Sequence, residues 1–342
     1  MSIEQHTHLT AGVATPMNSA WLKVRRRDPY CIAVGLLARE FRASVSLNRL
    51  KYEDAVAKLL AAIGVIVQRE AIEDEVIQVS VAALLPLGEF SDRERFEQQL
   101  GRRLRSFYFR DQLIRAELAD IYVMPEGSGF AFNLLREFGE RWFAAREAVC
   151  CLMLGHRNSS LLIFRNGRID LSASSTSDLG FVQLVDKVIE RSSGQDRRSL
   201  TRVLYELDDD PSPDNPLLKS LAKSRQSRNI KREVCELSRV VQVARQEYWQ
   251  LVKGWIEEFL PTRVDYVCIG GGASYYLRHP LNEFLGWSDP AWVEPADMVS
   301  HIAEELEDPS LRRRLGDVWS VFYQYFFGEP NLKNSHANSH AA

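Results

Sequence analysis

The stretch Val264-Asp265-Tyr266-Val267-Cys268-Ile269-Gly270-Gly271-Gly272-Ala273-Ser274 is a short apolar strand that stops in three glycines. Glycines let the backbone take positive φ, and they let a flat ligand lie against bare main chain where any Cβ would clash. A structural turn after a buried strand has the same pattern, so the motif gains meaning only from what lies upstream.

At 342 residues the chain has room for one large or two ordinary domains, and its 45% apolar residues can fill a core. A net charge of −3 with 26% charged residues leaves no overall basic footprint for nucleic acid. Cys31, Cys150, Cys151, Cys235 and Cys268 are odd in number, lack C-x-x-C spacing and fall in apolar strand-like runs. They read as buried thiols in a reducing cytosol, not as zinc ligands or a disulfide framework. No apolar run reaches the ~18 residues of a membrane span and no charged-then-apolar leader opens the chain, so the expectation is a soluble, cytoplasmic protein with no membrane partner.

Residues 1–19 read as a flexible start, and residues 328–342 as a disordered tail. Ala20–Val24 and Tyr30–Gly35 read as short strands around the turn Arg27-Asp28-Pro29. Tyr52–Gly64 carries Val56, Leu59, Leu60 and Ile63 at helical spacing. Glu75–Leu84 alternates and then runs apolar, the mark of a strand entering a covered sheet, before Pro86 and Gly88 stop it. A helix over Arg93–Leu104, a strand over Ala116–Met124 and a short helix over Phe130–Phe138 follow. Ala148–Leu154 then begins a second strand set, with Ser160–Arg165 as hairpin mate and Asn166-Gly167 as turn. Gly180–Arg191 reads as a helix with Asp178 as its N-cap. The proline-rich acidic segment Asp208–Pro216 reads as a surface loop. A basic run from Lys219 to Arg232 reads as a solvated face, and a long helix over Glu233–Leu260 leads into the glycine-rich strand. The closing aromatic cluster Trp319, Phe322, Tyr323, Tyr325, Phe326 and Phe327 is expected to pack into a core.

Five segments in this order resemble the actin-like ATPase superfamily, and within it the bacterial plasmid-segregation actins of the ParM/StbA type. Tyr30–Ala38 (YCIAVGLLA) resembles a segment of the family's first domain, and Leu84–Phe90 (LLPLGEF) its strand end before a helix. Met124-Pro125-Glu126-Gly127 resembles the connecting segment. Leu154–Ser160 (LGHRNSS) resembles the second phosphate loop, and Ile269–Ala273 (IGGGA) the adenosine motif. The resemblance implies an α/β, actin-like two-domain fold, with mixed sheets flanked by helices and a nucleotide cleft between the domains. Domain I would span residues 20–147, joined by C-terminal helices over 288–327, and domain II residues 148–287. It implies ATP or ADP as ligand and self-association into filaments, with DNA engaged only indirectly through an adaptor.

A strand–turn–strand hairpin with Gly155 at its tip can aim backbone N–H groups at phosphate oxygens, with Arg157, Asn158, Ser159 and Ser160 adding donors and His156 either a phosphate ligand or a plain surface residue. An ordinary hairpin tip has the same sequence. The resemblance implies that Gly270, Gly271, Gly272, Ala273 and Ser274 lie against the adenosine and that Glu126 orients the attacking water, though a solvent-exposed turn residue reads the same at Glu126. Two departures bear on the chemistry. The family's opening hairpin, roughly Asp-x-Gly-(Ser/Thr)-x-x-x-Lys, has no match before Tyr30, and Thr10-Ala11-Gly12-Val13 lacks an acidic partner. Met153 occupies the position of the second loop's metal-side Asp, and a thioether does not hold hydrated Mg²⁺. No metal ligand is therefore assigned. Hydrolysing filament former, non-hydrolysing actin-fold scaffold and truncated or degenerate paralogue are the competing readings, with a sugar-kinase-like enzyme behind them.

Overall fold

The computed structural model describes residues 15–25, 27, 30–41, 50–192, 194–207, 210–293 and 309–328. The Asp28-Pro29 turn, Asp208 and Asp209, Thr10–Val13, most of the flexible start and the tail beyond residue 328 lie outside the described residues. The chain divides into two compact units between Met124 and Pro125.

In the first unit β1 (Trp21–Lys23) pairs antiparallel with β2 (Ile32–Ala33). The expected strand through Gly35 is cut short because Gly35 takes φ +64° and opens α1 (Gly35–Glu40). The first predicted helix is longer than its spacing showed: α2 runs Lys51–Arg69, since Val67 continues the buried stripe of Val56 and Leu60. Its first turn carries no cap of its own. Glu89, after the Leu85-Pro86 strand end, accepts the Lys51 N–H at 2.9 Å and the Tyr52 N–H at 3.1 Å. A carboxylate there also suits the positive end of the helix dipole. Strand β3 (Ile77–Leu85) pairs with β6 (Ala116–Pro125), and α3 (Arg93–Leu104) stands where predicted. Between them lies the hairpin β4 (Phe107–Phe109) and β5 (Gln112–Ile114), which completes a four-stranded sheet of order β2-β1-β4-β5. Tyr52, Phe96, Leu100, Leu104 and Phe109 are fully buried in this unit's core.

The second unit opens with α4 (Ser128–Phe138) and α5 (Glu140–Ala144). Its sheet then forms from β7 (Val149–Leu154), β8 (Ser159–Arg165), β9 (Arg168–Ile169), β10 (Ser175–Ser177), β11 (Tyr266–Gly270) and β12 (Ala291–Trp292). The order is β10-β8-β7-β11-β12, with β9 added on β8. β7 lies antiparallel to β8 but parallel to β11, which is itself parallel to β12. Every residue of β7 is buried, the signature of a strand covered on both faces. Asn166 (φ +49°) and Gly167 (φ +80°) form the two-residue turn from β8 to β9. The turn from β7 to β8 is residues 155–158.

Helices α6 (Phe181–Arg191), α7 (Arg197–Leu207), α8 (Pro216–Lys219) and α9 (Ser227–Phe259) cover one face, with Val185, Leu204, Val241 and Tyr248 fully buried against the sheet. The sequence reading missed α7, and it started α9 six residues late because the end of the basic run, Arg228 to Arg232, lies in its first turns. After β11 come α10 (Arg278–Leu285) and, last among the described elements, α11 (Pro309–Phe327), which packs on α4.

Two expectations are corrected here. Cys235 lies exposed on α9, whereas Cys150, Cys151 and Cys268 are buried in the sheet and Cys31 is half-buried; all five thiols are free. The aromatic cluster is also split. Trp319 and Tyr325 are buried, but Phe322, Phe326 and Phe327 stand out at 38%, 37% and 64% exposure. Among the described residues no helix is long and apolar enough to cross a membrane.

Candidate functional site

Because β7 and β11 run parallel with Met153 opposite Gly270, the loops that follow them leave the sheet side by side at its carboxyl edge. Ligands of open α/β sheets bind at such an edge. The two loops are also laced together. Ala273 N–H donates to the Leu154 carbonyl at 3.0 Å, and Ser274 ties the glycine turn to itself through Oγ on the Gly271 carbonyl at 2.7 Å. Gly271 takes φ +93°, and a Cβ there would stand 2.5 Å from the Leu154 carbonyl oxygen. A Cβ on Gly270 would strike the Phe130 ring at 2.4 Å, and one on Gly272 would press Arg314 Cγ at 3.1 Å. The glycines thus serve the approach of the chain to itself.

The β7–β8 turn is closed by Gly155 N–H donating to the Asn158 carbonyl at 3.0 Å. Its other face receives α6: Phe181 N–H donates to the Gly155 carbonyl and Val182 N–H to the His156 carbonyl. This brings the backbones so close that a Cβ on Gly180 would lie 2.3 Å from Arg157 C. Gly180, not Asp178, is the N-cap of α6, and no side chain caps it. Of the donors assigned to phosphate, Ser159 is fully buried with its hydroxyl on the Leu179 carbonyl at 2.8 Å. Asn158, also buried, donates to Glu126 Oε2 at 3.1 Å. The sequence-assigned Glu126 and the hairpin are therefore brought together, with His156 and Arg157 at the tip.

Two residues that local reading missed complete the neighbourhood. Asp317 on α11, nearly fully buried, accepts the Gly127 N–H at 2.6 Å and the Gly129 N–H at 2.7 Å, so it fixes the segment that carries Glu126. Burial raises its carboxyl to about 7; the two N–H groups oppose that rise and the Glu126 charge adds to it. Arg314, one helical turn earlier on α11, lies over the glycine turn at Gly272. The His156 pKa is lowered, first by desolvation of the ring and then by the charges of Arg314, Arg197 and Arg157, with Asp186 opposing. Arg197 is ion-paired with that Asp186. Two arginines from other elements, Arg314 of α11 and the ion-paired Arg197 of α7, therefore act on His156 alongside the hairpin's own Arg157. A segment-by-segment reading catches only Arg157.

Mg²⁺ does not fit the residues present. Among the described residues no group of three His, Cys, Asp or Glu side chains could hold a metal ion. Met153 is buried beside the turn, its Sδ 3.5 Å from where a Cβ on Gly155 would be. A thioether is a poor ligand for a hard cation.

No known family model matches the chain, and no curated protein matches it in sequence. Solved structures do resemble it. The actin-like protein Alp7A matches with TM-score 0.61 and 13% identity, over 100% of this chain and 92% of that one. A subunit of a 15-stranded ParM filament from Clostridium botulinum matches with TM-score 0.58 and 15% identity, over 94% and 89%. The archaeal actin homologue Ta0583, in its complex with ADP, matches with TM-score 0.54 and 13% identity, over 87% of each chain.

Proposed function

We propose, from the actin-like, ParM-type fold that the chain shares with these structures, that it binds ATP or ADP on the paired loops of its second unit and self-associates. The observation that carries this is the Gly270–Ser274 turn, bonded through Ala273 to Leu154 at the head of the Gly155–Asn158 turn, at the carboxyl edge of two parallel strands. One loop would hold the phosphates and the other the adenosine. A neighbour of the same fold was solved with ADP, and another as a filament, which supports both halves of the reading. In the cell the protein would be a cytoplasmic, filament-type factor in DNA segregation, reaching DNA through an adaptor.

Glu126 would be the group that orients water if hydrolysis occurs. The mismatch with Mg²⁺ favours a second reading, an actin-fold protein that binds nucleotide without turning it over. Sedimentation with ATP, with ADP and without nucleotide tests self-association, and phosphate release over the same period tests turnover. A polymer with no phosphate release would select the second reading. A chain that stays in the supernatant under all three conditions would refute self-association.

A further inference from the structure

Arg314 and Asp317 occupy the same face of α11, one turn apart. Asp317 is clamped to the Gly127 and Gly129 N–H groups by two short hydrogen bonds, which fixes the helix against the Glu126 segment. That clamp places the Arg314 stem directly on Gly272 while its exposed head remains in water. A Cβ on Gly127 would in turn touch Met153 Cβ at 3.5 Å, so the same clamp borders the position where a metal-side carboxylate is missing.

We propose that Arg314 is a phosphate-binding residue, and that this site neutralises the nucleotide's phosphates with arginine charge in place of a divalent cation. A planar guanidinium offers paired donors to phosphate oxygens and stays charged at all working pH values. Arg157 at the hairpin tip would be its counterpart from the opposite loop, where burial of the ring first, and then the charges of Arg314, Arg197 and Arg157, lower the His156 pKa. The proposal rests on the reading of the two loops as a nucleotide site.

The test is equilibrium binding of ATP and of inorganic tripolyphosphate to the whole chain, in EDTA and in excess Mg²⁺. It is carried out on the native protein, on Arg314→Gln and on Arg314→Lys, each checked for an unchanged melting temperature. The expected result is ATP affinity within about threefold in EDTA and in Mg²⁺. Arg314→Gln should weaken both ligands by about tenfold or more, the size of one charge-assisted contact, and Arg314→Lys should recover part of the loss. Tripolyphosphate binding lost in Arg314→Gln, with ATP no tighter than tripolyphosphate, would support Arg314 but remove the adenosine reading. ATP binding that needs Mg²⁺, or that is unchanged in Arg314→Gln, would overturn the proposal and leave the nucleotide reading standing. Failure of both ligands to bind would overturn both.

Discussion

At the scale of single residues, Gly271 shows how a glycine expected for one reason can serve another. Read from sequence, it leaves room for a flat ligand; in the structure the missing Cβ leaves room for the Leu154 carbonyl. Gly271→Val would therefore unfold or displace the turn instead of merely blocking adenine. Both the positive φ and the main-chain collision act against it, and a loss of a few kcal/mol is expected. A melting temperature lowered by several degrees without ligand would bear this out, and an unchanged one would show that the turn adapts.

Asp317 gives a second residue-level prediction. Its folded pKa, about 7, lies above the 3.8 of the free side chain, so the folded state holds its proton more tightly. Its contribution to stability is full below pH ~4 and is lost as pH rises to about 7. Relative to Asp317→Asn, the native protein should lose melting temperature between pH 5 and 8, by a few degrees. Parallel curves for the two proteins would refute the raised pKa.

At the scale of elements, what was legible followed from periodicity, and what was missed depended on distant partners. The spacing in Arg93–Leu104 and the apolar run into β7 sufficed because burial on one or both faces is written into consecutive residues. The starts of α2 and α4 were read to within two residues, at Tyr52 and Phe130 against Lys51 and Ser128, but what caps them was not legible. Glu89 caps the first from 37 residues away in sequence, and Asp317 caps the second from 190. The α6 N-cap was misread for a related reason, since Gly180 is chosen by its fit to Arg157 rather than by a capping hydroxyl or carboxylate. Gly180→Ala should push the hairpin tip off α6 and weaken nucleotide binding more than it lowers stability. Equal affinity in the variant would separate the hairpin from the ligand. On α11, burial of Trp319 and Tyr325 matched the expected core packing, but Phe322, Phe326 and Phe327 face out. If the chain assembles with copies of itself, exposed aromatics offer area for it. Phe326→Glu should then reduce pelleting with little change in melting temperature, and full pelleting would place the contact elsewhere.

At the scale of the whole molecule, the ordered resemblance of five short segments pointed to the actin-like fold, although identity to these solved structures is only 13 to 15%. Fold survives such divergence because burial pattern and strand order are retained while surface and ligand chemistry change. The candidate site follows the same division. Among the residues the motifs marked, Asn158 is hydrogen-bonded to Glu126, and Ala273 to the Leu154 carbonyl. Arg314, Arg197 and Asp317 reach the site from α7 and α11, and no local motif marks them. The central claim is that these paired loops hold a nucleotide. Calorimetric titration of the whole chain with ADP and with ATP, first in EDTA and then in Mg²⁺, tests it most directly. The account predicts saturable one-site binding of both nucleotides already in EDTA; heats no different from buffer in every condition would contradict it.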